Sequence, residues 1–177
     1  MFYPALRDEN ELRPFRGGVL RTQERHAMNL EPPKAVLRIQ KVKTLGQLAA
    51  RSKHNTRQSP TGLEHTDPTK GGGADVFQGS DDAFAAWHER AKAVGFDPKK
   101  MRKNGVPAVE FLASASSNWF DVATPEMFQE WVETTTAFVA KQIGGEDNIL
   151  QAVLHTDETT PHIQFLTIPL IEKEMKA

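Results

Sequence analysis

A chain of 177 residues with 22 basic against 23 acidic side chains has no overall field to draw it to nucleic acid, and it is long enough for one domain with a substantial core. The absence of cysteine excludes disulfides, thiolate metal centres and a cysteine nucleophile. No apolar run approaches the ~18 residues of a membrane helix and no signal-peptide pattern opens the chain, so a cytoplasmic protein without a membrane segment is expected.

Residues 1–33 mix charges and prolines without a sustained period and read as an N-terminal extension, poorly ordered, ahead of a folded unit over 34–177. Tyr3, in this arm, is the only tyrosine. From Ala35 the pattern sharpens: Leu37 and Ile39 alternate in a first strand, with Arg38, Lys41 and Lys43 as its basic face. Thr44 then caps a short helix that runs through Arg51 into Ser52–Arg57. Between Lys34 and Leu63 stand seven Lys or Arg and no acid. Such a run in a neutral chain marks a nucleic-acid surface better than total charge does, and Arg38, Lys41, Lys43, Arg51 and Lys53 are its candidate DNA contacts.

Residues 58–80 read as a loop; its Gly71–Gly73 triplet lacks the strand–helix setting of a phosphate-binding loop and is taken as a flexible segment. Ser80 is placed to cap a helix over Asp81–Val94, with Phe84, Trp87 and Ala91 on its apolar stripe and His88 as a structural neighbour. Val106–Ser114 reads as a strand, with Val109, Phe111 and Ala113 alternating. Thr124-Pro125-Glu126 opens the longest helix with a cap, a proline at the first position and an acid in the first turn. Its stripe is Phe128, Trp131, Val132, Phe138 and Val139, and Gly144-Gly145 ends it.

Ile149–Pro169 carries the chemistry. Two apolar runs, Ile149–Leu154 and Ile163–Ile168, flank a polar segment holding His155, Asp157, Glu158, His162 and Gln164. The runs read as strands joined by a short reversal at Asp157–Pro161. Alternation points His162 and Gln164 to one face and Ile163 and Phe165 to the other, and His155 completes the cluster from the partner strand. Two imidazoles and an amide oxygen suit a divalent metal with open positions for phosphate or water. Nitrogen donors accept several first-row ions, and phosphate chemistry favours Mn or Mg. Consecutive strands at the end must pair antiparallel, so the expected fold is α+β: a single antiparallel β-sheet with helices packed on one side, the two metal-bearing strands central.

His155-Thr-Asp-Glu-Thr-Thr-Pro-His162-Ile-Gln164 resembles the third motif of the plasmid mobilisation relaxases of the Mob/Pre (MobV-type) family, usually His-x-Asp-Glu-x-Thr-Pro-His-x-His. Lys53-His54-Asn55-Thr56-Arg57 looks like their first motif, and Val109–Phe120 is similar to the middle block; the match runs from about Ala35 to Leu170. The resemblance implies a His-hydrophobic-His endonuclease that nicks one strand at an origin of transfer and stays attached to the new 5′ end. It makes His155 and His162 metal ligands with Gln164 at the place of a third histidine, His54 the nucleophile, Arg57 a phosphate or active-site partner, and Glu158 an acid that polarises His54 or touches the metal. The amide oxygen of Gln164 is a weaker donor than imidazole, so looser metal binding is expected.

The nucleophile follows independently. Tyr3 lies outside any patterned element, and without cysteine the choice is Ser, Thr, Lys or His. His54 stands inside the basic run, and an imidazole with a pKa near ~6.5 is substantially neutral and nucleophilic at neutral pH. His65 with Asp67 is a weaker candidate, read as DNA-contacting or structural. Two other readings stay open: a metal-dependent phosphodiesterase that activates water without a covalent adduct, and a truncated DNA-binding module without activity.

Overall fold

A computed structural model describes residues 34–170 apart from 60, 62, 68 and 70–72. The expected arm over 1–33, most of the glycine triplet and the charged tail from 171 lie outside the described residues. Five strands and four helices follow in the order β1 (Ala35–Val42), α1 (Leu45–Asn55), β2 (Ala74–Gly79), α2 (Ala83–Ala93), β3 (Ala108–Ala115), α3 (Ser117–Phe120), α4 (Pro125–Ile143), β4 (Ile149–His155) and β5 (His162–Thr167). The strands form one open antiparallel sheet in the order β1-β3-β5-β4-β2, with the hairpin strand β5 at its centre and β4 beside it, as expected.

β2 falls in the stretch read as loop. Its six residues place Val76 and Phe77 side by side instead of alternating, because the pairing with β4 shifts register between Val76 and Gln78. The strand exists by virtue of its partner, and the local pattern is lost at the bulge. Gly79 (φ 81°) ends it where a Cβ would collide with the Leu150 carbonyl.

The helices cover both faces of the sheet, which corrects the one-sided expectation. Alternate residues of β3 and β5 join different cores. Phe111, Ala113, Ile163 and Phe165 pack with Val139, Ala140 and Ile143 of α4. Ala108 and Leu166 pack with Leu48 of α1 and Trp87 and Ala91 of α2. Opposite parity means opposite faces. Three helices compete for a single open sheet, and two apolar faces are buried where one would leave half the strand residues wet.

The helix ends follow their signals. Thr44 Oγ1 accepts from Gln47 N at 3.1 Å, and Thr124 Oγ1 accepts from Met127 N at 3.3 Å ahead of Pro125. Gly144, at φ 87°, closes α4 in the left-handed region. α2 is capped by Asp82, whose carboxylate accepts from Phe84 N and Ala85 N, and not by Ser80, whose hydroxyl accepts from Asp82 N. On α4 the buried residues are Val139, Ala140 and Ile143, whereas Phe138 is 45% exposed. His88 stacks edge-on against Phe84 and Trp87, the structural place expected of it.

One buried polar node positions the site. Gln151 Nε2 donates to Ser52 Oγ (2.9 Å), and Ser52 Oγ accepts from Ala83 N (2.9 Å). Gln151 also donates to the carbonyls of Ser80 and Asp81. β4, α2 and α1 are thereby tied together two residues before His54. No helix among the described residues is long and apolar enough to cross a membrane.

Candidate metal centre and active site

α1 ends in a left-handed turn that aims its last side chains at the β4–β5 hairpin. Arg57 N donates to His54 O and Gln58 N to Lys53 O, the paired bonds of a helix stop whose next residue is usually glycine. Here that residue is Arg57, at φ 59°, the one non-glycine with positive φ among the described residues. The conformation costs a side chain about 1 kcal/mol or more, so something must hold it. Asp157 does: Arg57 Nε reaches Asp157 Oδ2 at 3.1 Å and Nη2 reaches Oδ1 at 2.7 Å, a two-pronged pair. The same Nη2 donates to Glu158 Oε1 at 2.8 Å. Burial alone would lower the pKa of Arg57, but its bonds to the two carboxylates outweigh that and raise it. Arg57 Nη1 is buried and has no partner, a charged donor left for a ligand.

The two motif histidines meet across the hairpin. His155, at the end of β4, is fully buried, and its Nδ1 lies 3.0 Å from Nε2 of His162 at the start of β5. The far nitrogen of each ring faces a backbone carbonyl: His155 Nε2 to Asn55 O at 2.9 Å, His162 Nδ1 to Thr160 O at 3.1 Å. A carbonyl can only accept, so those two nitrogens carry the hydrogens and the two facing ones are bare. Two imidazole lone pairs 3.0 Å apart repel one another unless a cation shares them. Protonating His155 is a poor answer, because burial, and then the nearby Arg57 charge, pushes it down to about 4 against the help of its bond to Asn55. A divalent metal ion is the better one, and the carbonyl-anchored tautomers are those of metal-binding histidines.

Further donors converge there. Glu158 Oε1 lies 3.7 Å from His155 Nδ1 and 3.9 Å from His162 Nε2, and the ligating atoms of these three residues fall within 4.8 Å of one another. Gln164 stands on the His162 face of β5, as alternation requires, and its Oε1 is buried without a hydrogen-bond partner. A buried amide oxygen with nothing to accept is costly unless an ion or ligand completes it. These residues fit a divalent ion.

His54 borders the same site, lining a cleft of about 580 Å³ with Gln164, Asn55, Glu110, Arg38 and Arg51. Its ring lies 5.7 Å from that of His65, and His65 Nε2 reaches Glu158 Oε1 at 3.1 Å. Partial burial, and then the Arg57 and His65 charges, lower the pKa of His54, which keeps its ring neutral. Glu158 is thus held by Arg57 and His65 beside the metal-site histidines, and its charge also acts on His54, opposing the lowering of that ring's pKa. Arg57 also pulls down the pKa of Glu158, against the burial that would raise it, so the carboxylate is anionic.

The candidate DNA contacts do not form one surface. Arg38 lines the cleft, whereas the register that pairs Arg38 with Leu112 and Lys41 with Val109 puts Lys41 on the opposite face of β1. The expected single basic face of the first strand is therefore split by the pleat. Arg51 is tied to Glu110 in the cleft, which offsets its charge. Lys43 and Lys53 are exposed. Asp157 and His65 were underweighted in the sequence: the signal for Asp157 was its place one residue before Glu158, and the one for His65 is visible only once the loop after α1 folds back, with Asp67 N donating to Asp157 O.

The fold is that of a relaxase domain. It superposes with TM-score 0.67 on the MobM relaxase domain, solved with Mn and with plasmid pMV158 oriT DNA bound; the match covers 81% of this chain and 74% of that one at 24% identity. The sequence settles the family: residues 32–177 match the plasmid recombination enzyme family Mob_Pre, and the chain belongs to it. It is 36% identical over 139 residues to a 65 kDa protein of Zymomonas mobilis, a match over 78% of this chain and 23% of that protein. It is 30% identical over 74 residues to plasmid recombination enzyme type 3 of Staphylococcus aureus, of which it covers 18%. The chain therefore spans about a fifth of the length of these curated relatives.

Proposed function

We propose that residues 34–177 form a nicking domain, preceded by an N-terminal extension over 1–33, that cuts and rejoins one DNA strand at a plasmid origin of transfer with His54 as the nucleophile. The observation that carries this reading is the facing pair of bare imidazole nitrogens on His155 and His162, with the orphaned Gln164 oxygen on the same face and His54 on the adjoining cleft. His155, His162 and Gln164 would hold the ion, Mn or Mg, with Glu158 close enough to join or to orient them. Bound there, a divalent ion supplies charge that polarises the scissile phosphate and offsets the charge developing in the transition state.

The chain's own residues do the rest. A bare ring nitrogen of neutral His54 gives its electron pair to phosphorus; the P–O3′ bond breaks, its electrons leave on the 3′ oxygen, and a proton from solvent completes the 3′-hydroxyl. The 5′ phosphate remains on His54 as a phosphoramidate, and attack by the freed hydroxyl reverses the step. Arg57, fixed by Asp157 and Glu158, offers its unpartnered Nη1 to a phosphate oxygen. Arg38, Lys43 and Lys53 supply charge along the strand, with Lys41 on the far face and Arg51 shared with Glu110. That the MobM domain was solved with oriT DNA and Mn supports both the partner and the ion.

The test is a denaturing gel after incubation with Mn and a 3′-labelled single-stranded oligonucleotide carrying a relaxase-type origin. A labelled protein band that vanishes with EDTA and in His54→Ala is expected. Cleaved DNA without an attached band would favour the water-activating phosphodiesterase, and binding without cleavage a DNA-recognition module.

A further inference from the structure

The cleft beside His54 is larger and more mixed in character than a phosphate needs. Its volume, about 580 Å³, lies in the ~300–1,000 Å³ range of pockets that enclose a small organic molecule. The sheet register makes its floor a row running from Arg38 on β1 through Leu112 on β3 to Gln164 on β5. The next row begins with Gln40, opposite Glu110. α1 supplies the wall with Gln47 and Arg51, two turns and one turn before His54.

Charge argues against a second phosphate. Arg51 is consumed by Glu110, which leaves Arg38 as the one unneutralised cation among the described residues of this wall beyond the His54 end. What remains is an apolar floor at Leu112 and neutral amides at Gln40 and Gln47. Gln47 Oε1 already accepts from Lys43 N at 2.9 Å, so its amide hydrogens are what it offers the cleft. At the inner end Asn55 is 1% exposed and its Nδ2 is buried without a partner, a donor awaiting an acceptor. An apolar plane edged by donors and acceptors is the complement of a nucleobase. Glutamine and arginine both make their two-pronged base contacts with purines, at N7 and the neighbouring exocyclic group.

We infer that this cleft takes one unstacked purine base adjoining the scissile phosphate, with Leu112 beneath its ring and Gln40, Gln47 and Arg38 reading its edge. The inference rests on the nicking reading above. It makes Gln40 and Gln47 specificity-determining residues: Gln164, at the metal end, and Arg38, at the far end, are two strand spacings apart, roughly 10 Å, and the base lies between.

The experiment selects bound molecules from a random pool of single-stranded DNA, in the presence of EDTA so that none is cleaved, and sequences them. The wild type should enrich a purine over a pyrimidine by roughly tenfold at one position, the discrimination expected of a single two-pronged contact. Gln47→Glu keeps the oxygen that accepts from Lys43 N but removes the amide hydrogens; it should erase that purine preference or shift it toward cytosine, whose amino group a carboxylate can accept. Gln40→Ala, at an exposed position of the edge strand, should weaken the same position and serves if Gln47→Glu does not fold. A consensus with no purine position, or one unmoved by both variants while the adduct still forms on the denaturing gel, would overturn the pocket alone. Failure to bind any DNA would overturn the nicking reading and the pocket with it.

Discussion

The two faces of the sheet are made by the same strands and both bury an apolar core, but only one of them also carries a polar cluster. On the α4 side Phe111, Ala113, Ile163 and Phe165 meet Val139, Ala140 and Ile143 in a dry core. One residue out of step, Glu110, Ser114, His162 and Gln164 face α1, and each is a polar group in or at the edge of burial. Among the described residues the buried side-chain atoms without a partner, Asn55 Nδ2, Arg57 Nη1, Gln151 Oε1 and Gln164 Oε1, all belong to residues on the α1 side or at the end of that helix. One face is complete in itself; the other is left short of partners where a ligand would supply them. The stability of the first carries the incompleteness of the second.

Disturbing the dry face should have the largest effect. Phe165 is fully buried, edge-on to Phe77, and Phe165→Ala should cost about 3–5 kcal/mol, read by urea denaturation. A cost below about 1 kcal/mol would mean the two faces share the load more evenly than their packing implies.

Acid tests the other face. The folded pKa of His155 lies below its ordinary 6.5, at about 4, because it is buried. The unfolded chain therefore takes up a proton that the folded one refuses, and stability present above pH ~6.5 is lost as pH falls toward ~4. The loss should be on the order of 3 kcal/mol at pH 4 and should shrink in His155→Asn, measured as melting temperature against pH without added metal. Equal acid sensitivity in the variant would place the titrating group elsewhere.

The smallest change separates stability from function most sharply. Gln164→Leu removes the orphaned oxygen and should leave the metal-free protein as stable or more so by about 1 kcal/mol. The same substitution should weaken Mn binding in calorimetry, whereas Gln164→His should tighten it. Affinity unchanged by both would take Gln164 out of the ligand set.

Much of this was legible in the chain. The α4 boundaries were spelled out by Thr124, Pro125 and Gly144, and the β4–β5 hairpin by two apolar runs around Asp157–Pro161, because caps and alternation are local. The pairing of His155 with His162 followed from the same alternation. β2 was not legible, since its bulge breaks the period and its reason for being a strand is β4. The separation of Lys41 from Arg38 was available from parity but hidden by reading charge as a run. The Glu110–Arg51 pair and the return of His65 to Glu158 join residues with no local relation, so no pattern in the chain announces them.

The bonds that build the site span unusual distances in the sequence: His155 to Asn55 is 100 residues, Arg57 to Asp157 is 100, and Arg57 to Glu158 is 101. Closing a loop of that length is entropically expensive and comes late, after local helices have formed. A nascent chain emerging from the ribosome will carry His54 on α1 long before the hairpin that completes its surroundings has been translated. Until that hairpin has been translated, His54 lacks both the Asp157 that fixes Arg57 and the facing imidazoles of His155 and His162, so the proposed site is assembled only once β4 and β5 are made.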